Sequence, residues 1–199
     1  MSEDVGIDPR ERELEPLDLG ALFGNDHPVI LEIGSGKGRF LVEHGRERPD
    51  HNFLGIEKSL HYYRHIVDRI VRRGIPNVRV INYDAAPVME RLLPPDSIKE
   101  IHIYFPDPWP RPRERKRRII RPEIARAMER ILRPDGMGWY VTDHRDYFEA
   151  AAPVLAEVFE TEAGEIVHDP PRTNYEAKYQ REGRPIFQVR FWKASPVGR

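Results

Sequence analysis

The sequence has no cysteine among its 199 residues. This excludes disulfide bridges, a cysteine nucleophile and thiolate zinc sites. No uninterrupted apolar run reaches the ~18 residues that a transmembrane helix needs, so we expect no membrane span. The first 14 residues are polar and largely acidic, which is not the pattern of a secretory signal. We therefore expect a cytoplasmic protein.

Neither sign of charge is in clear excess, since 32 lysines and arginines face 33 aspartates and glutamates. This balance argues against a protein that coats nucleic acid with its whole surface, although basic side chains can still be concentrated locally. Hydrophobic residues make up 39% of the chain and are spread along it, which argues against disorder. The length suits one α/β domain, which we place at residues 28–199, after a partly flexible extension at residues 1–27.

Short apolar runs alternate with helical patterns from residue 28 onward. Strands are predicted at 29–33, 53–56, 78–81, 101–105, 139–141, 165–167 and 186–192, and helices at 39–48, 60–73, 122–132 and 147–159. This alternation predicts the fold class α/β, with a doubly wound, mostly parallel, seven-stranded sheet. The last two strands have no helix between them, so we expect them to form an antiparallel C-terminal pair.

A glycine-rich loop follows the first predicted strand and contains Gly34, Gly36 and Gly38. Glycines allow a tight turn and let backbone N–H groups approach a ligand closely. The third glycine comes one position too early for a dinucleotide fingerprint, and Lys37 is not followed by the serine or threonine of a P-loop. The spacing of the loop therefore argues against a dinucleotide site and against a P-loop.

Acidic side chains surround this loop. Glu32 precedes it by two residues, which suits a ligand with a positive charge, such as the sulfonium and ammonium groups of S-adenosylmethionine. Glu57 ends the next strand, where doubly wound folds place a carboxylate against ribose hydroxyls. Asp84 follows the third strand and could face the adenine edge. The alternative for each residue alone is a polar strand end without function, and the set of three favours a cofactor site.

The fourth strand ends in the loop 105–110, with the sequence Phe-Pro-Asp-Pro-Trp-Pro. Prolines on both sides of Asp107 restrict the backbone and fix the direction of its carboxylate. Trp109 offers a flat face on which a base could stack. The alternative interpretation is a rigid connector with a packing tryptophan.

A basic run follows this loop at residues 111–118, with arginines at 111, 113, 115, 117 and 118 and a lysine at 116. Most basic runs are only solvated surfaces. This run adjoins the predicted site, and guanidinium groups suit bidentate phosphate contacts, so we favour an RNA-binding surface.

Four segments in this order carry a resemblance to a known family: 31–38, 55–58, 105–110 and the Thr-Asn-Tyr-Glu of 173–176. Over residues 28–192 the chain resembles the bacterial tRNA (guanine-N7)-methyltransferases, which are class I methyltransferases. The resemblance implies methyl transfer from S-adenosylmethionine, leaving S-adenosylhomocysteine, to N7 of a guanine in the variable loop of tRNA. It also implies tRNA as the partner. We further expect a monomer or homodimer, and no metal.

The resemblance also implies roles for individual residues. Cofactor binding is implied for Glu32, Glu57, Asp84 and Asp107, to which the loop glycines are added, and Asp107 is the predicted catalytic residue. Substrate binding is implied for Arg111, Asp143, Thr173, Asn174, Tyr175 and Glu176, and RNA contact for Arg113, Arg115, Lys116, Arg117 and Arg118. The family commonly has lysine where this chain has Arg111, which keeps phosphate binding but not a compact ammonium group.

Three other functions are considered. A non-catalytic RNA-binding protein on the same fold explains the basic run but not the acidic set around the glycine loop. A methyltransferase for a small molecule or a protein leaves the arginines unexplained, and a dinucleotide oxidoreductase disagrees with the glycine spacing. The histidines show no metal-ligand spacing, and only His144, beside Asp143, is placed near the site.

Overall fold

The computed structural model describes residues 5–11, 15–166 and 173–194. Its strands are β1 (Gly6–Ile7), β2 (Val29–Ile33), β3 (Asn52–Ile56), β4 (Val78–Ile81), β5 (Ile98–Tyr104), β6 (Leu132–Thr142), β7 (Glu160–Glu165) and β8 (Phe187–Trp192). Its α-helices are α1 (Leu19–Phe23), α2 (Arg39–Glu47), α3 (Leu60–Arg73), α4 (Ala85–Pro87), α5 (Pro122–Ile131), α6 (Arg145–Ala156) and α7 (Asn174–Arg181). Short 3₁₀ turns lie at Pro9–Glu11 and Pro112–Arg117, and a π turn lies at Val88–Leu92.

The strands form one sheet in the order β1-β4-β3-β2-β5-β6-β8-β7. Among the described strands, β8 alone runs opposite to the others, and it pairs antiparallel with both β6 and β7. The predicted mostly parallel α/β fold with an antiparallel C-terminal pair is therefore confirmed. From β2 the chain adds β3 and β4 on one side, and it then crosses over to place β5 on the other side of β2. Ligands of doubly wound folds bind at the carboxyl ends of the strands where the strand order reverses in this way.

The sheet has eight strands within the described residues, so the predicted count of seven is wrong. The additional strand, β1, lies in the N-terminal segment and pairs parallel with β4. Val5 and Ile7 are buried at 8% and 4% exposure, and they add apolar contacts to the core. Gly6 allows the Tyr63 side chain to pack directly against the β1 backbone, because a Cβ at this position would lie 2.1 Å from the Tyr63 hydroxyl oxygen.

Two boundaries in the C-terminal half also differ from the prediction. β6 begins at Leu132, and its register against β5 shifts so that Glu100 lies opposite Met137. The residues 133–136, which follow the predicted helix 122–132, are therefore an irregularity inside a long strand. β7 covers Glu160–Glu165, earlier than the predicted 165–167, of which residue 167 lies outside the described part.

The central parallel strands are covered on both faces, which explains why their sequences are continuous apolar runs. Every residue of β2 and of β3 is buried. Helices α2 and α3 pack on one face, and α5 and α6 on the other. None of the helices in the described ranges has the length and apolarity needed to cross a bilayer.

Candidate active site

The four acidic residues predicted around the cofactor follow or end four strands that are direct neighbours, β4, β3, β2 and β5. Glu32 lies in β2, Glu57 follows β3, Asp84 follows β4, and Asp107 lies in the loop after β5. Because the four strands are parallel, their carboxyl ends meet at one edge of the sheet. The fold therefore brings the predicted acidic set to one edge.

The glycine loop joins β2 to α2 with three left-handed residues, since φ is +77° at Gly34, +50° at Gly36 and +67° at Gly38. A Cβ at Gly34 or Gly36 would meet nothing within 4 Å, whereas one at Gly38 would lie 2.7 Å from Ile66 Cγ1. Gly38 is thus required by packing against α3. At the first two glycines the backbone is open, so a ligand can approach it closely.

Glu32 lies beneath this loop and is only 4% exposed. Burial raises the pKa of the Glu32 carboxyl to about 8; the nearby Ser35 hydroxyl opposes the rise, and the charge of Glu57 adds to it. Its Oε2 atom has no hydrogen-bond partner among the described residues. A buried carboxyl oxygen without a partner is costly for the free protein, and a cationic ligand would favour its ionised form and compensate it.

Glu57 fixes the glycine loop from the neighbouring strand. Its Oε2 accepts a hydrogen bond from the Gly36 N–H at 2.8 Å, and its Oε1 accepts one from the Ser59 N–H at 2.7 Å. Burial raises the pKa of Glu57, these bonds oppose the rise, and the charge of Asp107 adds to it. The carboxylates of Glu57 and Asp107 are therefore close enough to interact electrostatically.

Asp84 caps α4 by accepting a hydrogen bond from the Ala86 N–H at 3.1 Å, and it pairs with Lys58 Nζ at 2.8 Å. Partial burial raises the pKa of Asp84, but these partners outweigh it and lower the pKa. The residue stands at the predicted edge, half exposed and already paired. Contact with the adenine edge stays a prediction.

The loop 105–110 combines three prolines with two strained residues. Phe105 and Trp109, each followed by proline, have φ of 48° and 41°. Left-handed backbone in bulky residues costs roughly 1–3 kcal/mol each and is concentrated at functional sites. Between them Asp107 is exposed at the mouth of the site. The loop therefore adopts a strained conformation that lowers the stability of the fold, and in this conformation Asp107 is exposed to solvent.

Helix α7, at whose start most of the predicted substrate residues lie, packs against the loop 105–110. Thr173 caps α7 through its hydroxyl, which accepts the Glu176 N–H, and Tyr179 lies with its ring 5.3 Å from that of Phe105. Asp143, directly after β6, pairs with Arg184 at 3.3 Å. Tyr175 is exposed, while Glu176 is fully buried. Of Asn174 only the backbone is described.

The basic run forms a 3₁₀ turn and part of an exposed surface. Within the described chain, Arg111, Arg113 and Lys116 are exposed and have no ion pair. Arg115 pairs with Asp146 at 3.1 Å, and the Arg117 guanidinium lies 4.8 Å from the centre of the Trp109 ring. Trp109 thus has one face covered by a cation, and the stacking of a base on it stays a prediction.

Arg118 does not fit the prediction of RNA contact. It is only 4% exposed, and its guanidinium bonds within the protein, so it is not presented to a polyanion in this structure. The sequence could not distinguish it from its neighbours, because burial depends on the course of the chain after the turn. His144, placed weakly near the site, caps α6 by accepting the Tyr147 N–H.

Three supporting residues were not identified from the sequence. Asn82, 2% exposed, donates from Nδ2 to the Glu57 carbonyl oxygen at 2.8 Å. Arg39 donates to the Thr173 carbonyl oxygen at 3.4 Å, which connects the glycine-loop helix to α7. Arg184 pairs with Asp143, as described above. Only Asn82 had a usable signal, its position directly after a buried strand.

Comparison with known proteins agrees with this geometry. Residues 26–189 match a family model described as "Putative methyltransferase". The tRNA (guanine-N(7)-)-methyltransferase of Nitrosococcus oceani is 38% identical over 180 residues, covering 88% of this chain and 76% of that protein. The enzyme of the same name from Cronobacter sakazakii is 37% identical, covering 91% of this chain and 79% of that protein.

Solved structures show the same fold at low identity. The 16S rRNA methyltransferase KamB superposes with a TM-score of 0.68 at 16% identity, covering 90% of this chain and 95% of that chain. A precorrin-6y C5,15-methyltransferase from Geobacter metallireducens gives a TM-score of 0.61 at 17% identity, covering 96% and 98%. The structural neighbours therefore share the methyltransferase fold. The sequence relatives, at 37–38% identity over most of both chains, establish that this chain belongs to the tRNA (guanine-N(7)-)-methyltransferase family.

Proposed function

We propose that this protein transfers a methyl group from S-adenosylmethionine to N7 of a guanine in the variable loop of tRNA, in the cytoplasm. The observation that carries the proposal is the meeting of two features at one edge of the sheet. One is the buried Glu32 carboxylate beside an open glycine loop, and the other is the strained loop that presents Asp107. A basic surface follows directly.

The residues at the sheet edge fit the methyl donor. Glu32, with one oxygen unpartnered, would balance a positive charge of the donor, and the open backbone at Gly34 and Gly36 would accommodate its bulk. Glu57 accepts one N–H on each oxygen and has remaining lone pairs for ribose hydroxyls. When bound, the donor supplies an electrophilic methyl group on a sulfonium. S-adenosylhomocysteine would be the product.

The chemistry asks for positioning more than for a base. Guanine N7 has an in-plane lone pair, so it attacks a methyl group without prior loss of a proton. The protein must align N7, methyl carbon and sulfur, and alignment alone can supply much of the acceleration. As the new bond forms, positive charge develops on the guanine ring. A fixed carboxylate at the mouth of the site stabilises that charge, and we assign this role to Asp107.

Recognition of guanine would use a second carboxylate. A carboxylate can accept hydrogen bonds from N1–H and the 2-amino group of guanine, and adenine lacks this pattern. Asp143 is partly exposed and pairs with Arg184, three residues after the end of α7, which supports this role. Glu176 is fully buried, so its contribution would be to the packing beneath the base. The target base would have to leave its stack at a cost of a few kcal/mol.

The proposal is tested by incubating the protein with methyl-labelled S-adenosylmethionine and unmodified tRNA, followed by mapping of the label. We expect a single 7-methylguanine in the variable loop. Label in another guanine would change only the assigned position. Binding of the donor without transfer to tRNA would favour a small-molecule or protein methyltransferase, and absence of donor binding would favour a non-catalytic RNA-binding protein.

The glycine loop allows a matched pair of substitutions. Gly36 and Gly74 both have positive φ, +50° and +59°, and a Cβ at either would meet nothing within 4 Å. Replacement by alanine should therefore cost each protein a similar ~1–2 kcal/mol of stability. We expect only Gly36→Ala to weaken donor binding, by about tenfold or more, in calorimetric titration. Equal donor affinity in both variants would show that the ligand does not approach Gly36.

The basic run gives a second prediction, on salt dependence. Changing both Arg113 and Lys116 to glutamine should weaken tRNA binding and lower the slope of log K against log salt by roughly 1 per residue, because two phosphate contacts are lost. The control is the double variant Arg46→Gln and Arg91→Gln, which removes the same charge from exposed residues at the opposite edge of the sheet. A slope that falls equally in both would identify a general charge effect.

A further inference from the structure

Arg118 makes a set of internal contacts unlike those of the other basic residues in its run. Its Nε donates to the carbonyl oxygen of Pro108 at 2.8 Å, and an NH2 group donates to the carboxylate of Asp146. The guanidinium also lies 4.6 Å from the centre of the Tyr147 ring. With 4% exposure, Arg118 is one of the few buried charged residues of the described chain. We call these contacts the Arg118 anchor.

The anchor acts on the loop that presents Asp107. Pro108 directly follows Asp107, and since proline has no N–H, its carbonyl oxygen is the only hydrogen-bonding group that its backbone offers. The loop is left-handed at Phe105 and at Trp109, on both sides of this point. Strained backbone persists only where surrounding contacts determine it, and the hydrogen bond from Arg118 supplies one such contact in the middle of the loop.

The other end of the anchor lies on α6. Asp146 lies in the first turn of α6, and its carboxylate accepts hydrogen bonds from both Arg115 and Arg118, which lower the Asp146 pKa. Tyr147, fully buried in the same turn, accepts the Ile120 N–H through its hydroxyl at 3.2 Å. The planar guanidinium therefore has one face against the Tyr147 ring and two of its nitrogens hydrogen-bonded, which favours a single orientation.

We infer that Arg118 is a positioning residue for methyl transfer and not an RNA contact: it holds the Pro108 carbonyl against α6 and so fixes where the Asp107 carboxylate points. The inference rests on the proposed function for the role of Asp107. A residue that fixes a catalytic geometry affects the rate of the chemical step. An RNA-contact residue affects tRNA affinity and its dependence on salt.

The test compares Arg118→Gln and Arg118→Lys with the wild-type protein under single turnover at saturating tRNA and donor. A displacement of about 1 Å at a reacting group can cost about 100-fold in rate. We expect Arg118→Gln to lower the methyl-transfer rate by 10- to 100-fold, with tRNA affinity and salt slope unchanged. Lysine can make one of the bonds but lacks the planar fork, so Arg118→Lys should recover part of the rate.

Two further variants keep the test independent of folding. Asp146→Asn removes the charge of the half-exposed carboxylate that pairs with Arg118. It should also lower the methyl-transfer rate, by a smaller factor than Arg118→Gln does. Arg72→Gln, which breaks an exposed pair with Asp68 on α3, is the control and should leave the rate unchanged. Weaker tRNA binding with a lower salt slope and an unchanged rate in Arg118→Gln would overturn the inference.

A spectroscopic readout separates this inference from the proposed function. The chain has three tryptophans, and the indole N–H signal of Trp109 in a ¹H–¹⁵N spectrum can be assigned with Trp109→Phe. We expect Asp146→Asn and Arg118→Lys to shift this signal and to leave those of Trp139 and Trp192 in place. An unmoved Trp109 signal contradicts the anchor, whereas a wild-type protein that methylates no tRNA contradicts the proposed function alone.

Discussion

Asp107→Asn is expected to reduce the rate of methyl transfer to tRNA by about 100- to 1,000-fold, the range seen when one preorganised electrostatic group is removed from an active site. Asparagine has the same shape and keeps the hydrogen-bonding oxygen, but it has no charge with which to stabilise the positive guanine ring. The measurement is the single-turnover rate at saturating donor and tRNA.

The folded state should tolerate this substitution. Asp107 is exposed, and exposed substitutions away from special features usually change stability by no more than ~0.5 kcal/mol. Thermal unfolding should therefore show a nearly unchanged midpoint. The matched control is Asp26→Asn, an exposed aspartate that precedes β2 at the opposite edge of the sheet, and it should keep full activity. If Asp107→Asn kept near-normal turnover, Asp107 would have no role in the chemical step.

The expectation also involves Glu57. The negative charge of Asp107 helps to raise the pKa of Glu57, so its removal should let that pKa fall. A titration of the Glu57 carboxyl by NMR in both proteins checks this without any substrate. A Glu57 pKa that stays constant would mean that the two carboxylates are too far apart to form one site.

The sheet and the position of the site could be predicted because each depends on local pattern. Apolar runs such as 29–33 and 53–56 are continuous since both faces of a central parallel strand are covered. Helix α3 has the bounds predicted for it, because its apolar spacing and the glycine that follows it, Gly74, indicate these limits. The structure adds Ser59 as its N-cap. Once the strand order is known, the acidic residues after the strands must meet at one edge.

The features that could not be predicted depend on contacts distant in sequence. β1 has only two residues and exists because β4 offers a free edge and Gly6 fits beneath Tyr63. Arg118 has the same local sequence character as Arg117, yet one is buried against α6 and the other is exposed. A short strand or a buried arginine is stabilised by the surrounding fold, which a sequence pattern does not specify.

Glu32→Gln should have opposite effects on stability and on donor binding. Burial raises the pKa of Glu32 from 4.5 to about 8, so between these pH values the folded protein keeps a proton that the unfolded chain has lost. Stability of the free wild-type protein should therefore decrease as pH rises through this window, with a slope of up to about 1.4 kcal/mol per pH unit, and level off above pH 8. Glutamine cannot ionise, so the variant should be more stable at pH 8 and show a shallower slope.

Burial also raises the pKa of Glu57, so the stability of both proteins should fall with pH for this second reason. The difference in the pH dependence of unfolding free energy between wild type and variant therefore reports on Glu32 alone. Denaturant unfolding from pH 5 to 9 measures it. The control is Glu129→Gln, an exposed residue of α5, which should leave the profile unchanged. Equal slopes in wild type and Glu32→Gln would show that Glu32 is already ionised in the free protein.

Donor binding should respond in the other direction, because a cationic ligand favours the ionised carboxylate. Wild-type affinity for S-adenosylmethionine should rise relative to the variant as pH increases from 6 to 8, and at pH 7 binding should release a proton. Calorimetry in two buffers of different ionisation enthalpy counts that proton. The ligand's own amino group titrates near pH 8, but its contribution is the same for the wild-type protein and for Glu32→Gln. If the variant released as many protons on binding as the wild type, the positive charge of the donor would lie away from Glu32.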